Sequence, residues 1–479
     1  MRKRPRLFKI PSSSTILLLF LKRCDPNLGN VSRRFQFHAI CFVPAQAAKH
    51  QGVRLRSYQH SLMLLLLCLE IMPGTRKPEQ ETGIPIMTSH TKTISASSNI
   101  MEEVVEIRRH LHRHPEIGLS EFKTSDFIAD RLVSMGYEVT RGLAGTGVVA
   151  TLRHGNSGKS VGIRADIDAL PIHEETGADY ASENPGMMHA CGHDGHTAML
   201  LGAAKIIAER RNFDGTVNLI FQPAEENFGG ARIMIEDGLF ERFPCDAVFA
   251  LHNEPAHPFG HFVLRDGPIM AAVDECKITV KGYGGHGAEP QSASDPIVAG
   301  ASIIMALQTI VSRNIHPLMP TVVTVGAFHA GVASNVIPET AEMLLTIRSF
   351  DPEARDELEK RIRLVAEGQA ASYGMTVTLD YQRGYSPTVN HKAETDYVMD
   401  LASRFAGSDK VMEMPRPSMG AEDFAYMLEK RPGAYFFLGT KRTENDPPLH
   451  HPKFDFNDDI LPIGTAFWVE LVEDYLKSG

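Results

Sequence analysis

At 479 residues, 43% of them hydrophobic and 22% charged, the chain has the length of two or three domains and the composition of a soluble globular protein. Its net charge of −9 and pI near 6.2 exclude the basic footprint of a nucleic-acid binder. Its six cysteines, with only Cys191, Cys245 and Cys276 beyond the first eighty-odd residues, exclude a disulfide framework and point to a reducing compartment.

Residues 1–95 read as a basic leader. Positions 1–86 hold 14 Lys+Arg against 4 Asp+Glu, a balance of +10 that leaves −19 for the remainder. Residues 15–21, behind Arg2, Lys3, Arg4, Arg6 and Lys9, have the order of a signal peptide, but Lys22-Arg23 stands where a small-residue cleavage site belongs. Residues 62–69 are too few to span a bilayer. The leader is expected to be a disordered extension translated from upstream of the true start, with Met87 or Met101 beginning a folded cytoplasmic protein. A cleaved targeting segment is the alternative, and no membrane contact is expected.

Apolar spacing at Val104, Val105, Ile107 and Leu111 predicts a helix over 101–111, stopped at His114-Pro115, with a second helix over 125–135. His110, His112 and His114 read as surface or capping residues. Strands are predicted over 147–152 and 160–166. The second delivers Asp166, with Asp168 just beyond, to the carboxyl end where open α/β sheets build their sites.

The densest stretch follows: His189-Ala-Cys191-Gly192-His193-Asp194-Gly-His196 packs three imidazoles, a thiol and a carboxylate into eight residues. Gly192 lets the backbone turn tightly enough for Cys191 and His193 to face one point, a borderline-soft metal site. Residues 197–207 predict a buried helix with Asp194 as its N-cap. A strand over 216–221 runs into Gln222-Pro223-Ala224-Glu225-Glu226, and one over 247–251 into His252-Asn253-Glu254. Neighbouring glutamates on a regular strand face opposite ways, so Pro223 is expected to break the strand and let both serve one site. One carboxylate then binds metal while the other reaches a metal-bound water.

From Glu275 the pattern changes to strand 275–281, helix 295–313, strands 320–329 and 340–349, helix 352–372 and strand 375–382. Asp295-Pro296 and Asp351-Pro352 supply N-cap and N1 to the two helices. This β-α-β-β-α-β order is that of a ferredoxin-like module. It reads as inserted at 274–382 between catalytic segments 96–273 and 383–479, because a helix over 398–405, a strand over 434–438, the imidazoles of Leu449-His450-His451 and a helix over 467–476 follow it. Two polar loops of the insert stand out, the Gly285-His286-Gly287 turn and Asn335, and flanking glycines leave His286 free to project.

Arg164-Ala-Asp166-Ile-Asp168-Ala-Leu-Pro, Cys191-Gly-His193-Asp194, Phe221-Gln-Pro-Ala-Glu225-Glu226, His252-Asn-Glu-Pro, Gly285-His286-Gly, Asn335-Val-Ile-Pro, Gly420-Ala-Glu-Asp423-Phe and Leu449-His450 follow one another in this order. Together they resemble the M20 metallopeptidase family over about residue 100 to the end, most closely its amidohydrolase branch, which includes hippurate hydrolase and the plant auxin-conjugate hydrolases. The resemblance implies an α/β fold, a mixed-sheet zinc-peptidase-like catalytic domain with the α+β insert as lid and dimerisation domain. It implies a homodimer and two divalent cations per subunit (Mn²⁺ or Zn²⁺, with Ni²⁺ or Co²⁺ as further candidates) held by Cys191, His193, Glu226, His252 and His450. His451 competes with His450 on spacing alone, and the family's Leu-His puts His450 ahead. Glu225 would be the general base, His286 would stabilise the oxyanion in its own site or its partner's, and Asn335 would bind the substrate's carboxylate. Classical members begin the first motif with a ligand histidine where this chain has Arg164, so Asp166 reads as orienting a ligand imidazole rather than binding metal.

The implied reaction is hydrolysis of an N-acyl amino acid, hippurate-like first, with N-acetyl amino acids or N-acetyl-diaminopimelate next. A zinc nucleobase deaminase would need a Pro-Cys-x-x-Cys run that the chain lacks. An inactive metal- or conjugate-binding module would be expected to have lost Glu225 or a ligand, and all are present.

Overall fold

Strands buried on both faces organise the described part of the chain, residues 98–477 of a computed structural model; the leader readings at 15–21, 62–69 and Met87 lie outside them. Along β2 (Gly147–His154), β3 (Ser160–Asp166), β4 (Gly215–Gln222) and β5 (Ala247–Pro258), alternate residues enter opposite cores. Val148, Leu219 and Phe249 face one, and Val149, Ile220 and Val248 the other. With β1 (Glu138–Leu143), β6 (Phe262–Leu264), β15 (Val411–Glu413) and β16 (Gly433–Lys441) they form an eight-stranded sheet ordered β1-β2-β4-β3-β5-β16-β6-β15. Parallel pairs at β4-β3, β3-β5 and β5-β16 beside antiparallel β1-β2 and β2-β4 make it a mixed sheet.

Helix α1 (Ser98–Arg113), α2 (Phe122–Ser134), α3 (His193–Arg210), α7 (Lys392–Ala406) and α8 (Leu461–Tyr475) contribute apolar residues to the first core, and the short α4 (Gly230–Glu236) to the second. α3 is buried along nearly its whole length. At Gly202 an added Cβ would lie 2.5 Å from Val104 of α1, so this glycine lets the two helices touch.

A second sheet holds β8 (Ala272–Lys281), β10 (Thr321–Ala330), β12 (Thr340–Ser349) and β13 (Thr376–Arg383), all antiparallel, in the order β10-β12-β8-β13. Helices α5 (Pro296–Arg313) and α6 (Pro352–Ser372) cover one face, where Ile303, Leu307, Leu358 and Ile362 pack on Ile278, Val280 and Met343 in a core of their own. Both helices start as the sequence reads: Asp295 accepts from the Ile297 amide and Asp351 from the Ala354 amide, each at 2.9 Å. Helix α5 is long and apolar enough to cross a membrane, but its buried residues are spent on this core. Two short ladders complete the connections, β9 (Gly285–His286) with β11 (Val336–Ile337) and β7 (Gly267–Met270) with β14 (Thr388–Asn390).

Several readings need correction. The N-cap of α3 is Gly192, not Asp194, whose carboxylate lies inside the first turn. β5 does not stop at Leu251, because β16 pairs alongside it through Phe437↔His252 and beyond. α7 and α8 begin about six residues earlier than expected, and β1 is a largely exposed strand whose sequence carries no apolar alternation. His112 is no surface residue: it is buried, with Nδ1 2.8 Å from Asp194 Oδ2.

Candidate metal centre and active site

The chemistry gathers where three strand segments meet the start of α3. β3 ends at Asp166, and β4 ends at Gln222 as Pro223 requires, after which Ala224 takes a left-handed φ of 55° and turns Glu225 and Glu226 off the strand direction. Gly192, at φ 99°, makes the turn between Cys191 and His193; any side chain there would be strained and would meet Asn253. His252 stands within β5. The His450 backbone amide donates to Ala190 O at 2.8 Å, tying the last loop to the Cys191 segment.

All five expected ligands converge. Cys191 Sγ lies 3.3 Å from His252 Nε2 and 3.4 Å from His450 Nε2, and His450 Nε2 lies 3.3 Å from Glu226 Oε1. His193 Nε2 sits 3.9 Å from Glu226 Oε1 and 3.6 Å from Asp166 Oδ2. Two donor groups result, Cys191/His193/Glu226 and Asp166/His193/His196/His252, each with atoms within 4.8 Å of one another and sharing His193. His451 is exposed, and its Nδ1 accepts from the Lys453 amide, which leaves His450 as the imidazole at the cluster.

The residues fit two divalent cations. His193 Nε2 and Glu226 Oε1 are buried and have no hydrogen-bond partner, although buried polar atoms are nearly always satisfied. Charge says the same. Burial, with Glu226, Glu225 and Asp166 adding to it, holds the Cys191 thiol well above its usual range. Burial works against protonated His193, but Asp166, Asp168 and Glu226 outweigh it and raise the imidazole to about 10. A pocket that holds protons this tightly without a cation has the negative potential to bind one.

Around the donors runs a shell of carboxylates and a guanidinium, of which the sequence assigns a role at the site only to Asp166. His193 Nδ1 is 2.9 Å from the Asp168 backbone carbonyl and 3.2 Å from its Oδ1, and Asp168 Oδ2 accepts from the Glu226 amide at 3.0 Å, so one residue holds two of the expected ligands, which come from different segments. Asp168→Ala is expected to weaken metal affinity about 10- to 100-fold at unchanged fold, measured by competition with a chromogenic chelator. Asp166 Oδ1 lies 2.6 Å from His196 Nδ1, so the imidazole it grips most closely is that of His196, which accepts from the Asn253 amide at 3.0 Å through Nε2. Arg164, fully buried, donates to Gln222 Oε1 at 2.8 Å, Asp166 at 2.7 Å, Glu422 at 2.9 Å and Asp423 at 3.3 Å, a counter-charge for three carboxylates. Asp194 ties the start of α3 to His112 and, at 3.1 Å, to Arg108 Nε.

Glu225 is buried beside Glu422 and Asp423, with carboxyl oxygens of the three within 4.8 Å of one another. Burial, then Glu422, Glu226, Asp423 and Asp168, push its carboxyl well above the ordinary range. Such a carboxylate takes a proton readily. His286 and Asn335 come together across the β9-β11 ladder, where the Gly287 amide donates to Asn335 O at 2.8 Å. Both are exposed. Neither hydrogen-bonds nor ion-pairs with the cluster.

A sheet-end cluster of sulfur, nitrogen and oxygen donors with a proton-accepting carboxylate beside it defines a metal-dependent hydrolase. The chain belongs to peptidase family M20/M25/M40, whose pattern matches residues 162–474, and within it to the hydrolases of amide bonds. It is 42% identical over 379 residues to hippurate hydrolase of Campylobacter jejuni, covering 79% of this chain and 98% of that one. With N-acetyl-L-cysteine deacetylase of Bacillus subtilis it shares 40% identity over 403 residues, 84% and 95% of the two chains. Among solved structures, a dinuclear metal-binding peptidase of the M20 family from Bacillus subtilis matches at TM-score 0.68 and 36% identity, over 79% of this chain and 99% of that one.

Proposed function

We propose that the protein cleaves the amide bond of N-acyl amino acids, hippurate-like substrates first, releasing a carboxylic acid and an amino acid. Two divalent cations, Mn²⁺ or Zn²⁺ on this mixed donor set, would be held by Cys191, His193, Glu226, His252 and His450. The observation that carries the reading is the pair of orphaned atoms, His193 Nε2 and Glu226 Oε1, facing each other in the donor cluster. When bound, the cations supply Lewis acidity and a water of lowered pKa. Glu225 takes the proton of the attacking water and returns it to the departing amine nitrogen. His286 donates to the developing oxyanion, and Asn335 binds the substrate's carboxylate. N-acetyl amino acids are the second substrate class, supported by the deacetylases of similar identity.

Residues 274–382 serve in this reading as a lid and dimerisation domain between catalytic segments 96–273 and 383–479. β10 is an edge strand, and α5 exposes Val298 (51%) and Met305 (71%), an apolar face beside an open edge that a second copy of the chain would cover. His286 and Asn335, exposed and apart from the donors, would then reach a site by closure of the lid or across the dimer. Light scattering is expected to give a dimer, and Met305→Glu a monomer; a monomeric parent protein ends the dimer reading. Three free cysteines among the described residues suit a cytoplasmic setting.

Turnover of benzoyl-, acetyl- and indoleacetyl-amino acids with added Mn²⁺ or Zn²⁺ tests the substrate class. Benzoylglycine should lead. Failure on the whole panel ends the reading.

A further inference from the structure

The chain enters and leaves the β8-to-β13 module at one place, where its two crossings are bonded to each other. The Val273 amide donates to Tyr385 O at 3.1 Å and the Gly384 amide to Val273 O at 3.0 Å. Arg355, in the first turn of α6, clamps the junction: its Nε lies 3.1 Å from both carboxylate oxygens of Asp274, and its Nη2 donates to Gly384 O at 2.9 Å. Tyr381 donates to Asp274 Oδ2 at 2.8 Å.

Tyr385 extends this junction to the catalytic turn. Its hydroxyl donates to the backbone carbonyl of Glu225 and accepts from the Gly229 amide at 3.2 Å, so one oxygen closes the loop 225–229. From the other side, Glu121 accepts from the Ala224 amide at 2.9 Å and from Thr146 Oγ1 at 2.7 Å. The turn needs such braces. Ala224 sits at φ 55°, a conformation that costs an alanine energy and persists only where its surroundings impose it.

We propose that Tyr385 is a positioning residue for Glu225, transmitting the stance of the inserted module through the Asp274–Arg355–Gly384 junction to the turn that aims the carboxylate. The coupling has a continuous physical route. It runs from α6 through Arg355 and the paired crossings to the phenol, and from there to the Glu225 backbone. The inference rests on Glu225 as the general base, and its test separates the two claims.

Tyr385→Phe keeps the ring, stacked edge-on against Tyr426, and removes only the hydroxyl. Loss of these two hydrogen bonds is expected to speed amide hydrogen exchange over residues 225–230 about tenfold or more, with or without added Mn²⁺, while α3 is unchanged. On benzoylglycine with Mn²⁺, kcat should fall about tenfold or more with KM within about twofold and bound metal unchanged. In a Glu225→Gln background the substitution should cost nothing further, because it acts through that side chain. Parent-like kcat and loop exchange overturn the proposal, and so does a loss that comes with lost metal or faster exchange in α3. If Glu225→Gln alone stays active, the base reading falls, and the exchange experiment still decides whether Tyr385 holds the turn.

Discussion

Glu225→Gln is expected to lower kcat by about 10²- to 10⁴-fold while the protein keeps its full complement of cations. The substitution preserves shape and removes only the ability to accept a proton. Glu225 lies outside both donor groups that gather around His193, so metal content measured by atomic emission should match the parent. Thermal stability should not fall either. In the cation-free protein, burial and the neighbouring Glu422, Glu226 and Asp423 favour the uncharged form of this carboxyl, and a neutral amide relieves that crowding. A variant with near-parent turnover would take Glu225 out of the proton-transfer role.

Cys191→Ala should abolish activity and weaken metal binding by more than about 100-fold, beyond the loss typical of residues that only orient a ligand. Its sulfur is in contact with both His252 and His450, so removing it strips a donor from the middle of the cluster. The stabilisation that added Mn²⁺ or Zn²⁺ gives the parent should vanish with it, since a ligand stabilises only a fold that binds it. Cys245→Ala is the control. That thiol is buried against Asn218 and Phe243 O, away from the donors, and its loss should leave metal content and turnover intact.

What was legible in the sequence is what local chemistry dictates. Asp295-Pro296 and Asp351-Pro352 announced two helices because a cap and a preset φ act within four residues. Pro223 announced the end of β4 because it cannot donate to a ladder. The eight residues from His189 to His196 announced metal by density alone. Less legible was whatever depends on partners distant in the chain. Asp194 has the chemistry of an N-cap, yet Arg108 and His112 from α1 claim its carboxylate, and Gly192, two residues before it, takes the cap position. Nothing local in Asp168 tells that it bridges His193 and Glu226, although its place two residues past Asp166 at a strand end was the available signal. His196 was counted in the cluster but not assigned, because its contact with Asp166 spans thirty residues. The continuation of β5 through His252 came from pairing with β16, which lies nearly two hundred residues on.

Anomalous diffraction from crystals soaked in Zn²⁺ or Mn²⁺ addresses the central claim, that five side chains scattered from Cys191 to His450 hold two cations. Two peaks about 3.5–4 Å apart are expected, one beside Glu226 and His450, one beside His252, with Cys191 and His193 in reach of the pair. Density elsewhere on the protein, with nothing between Cys191 and Glu226, would contradict it.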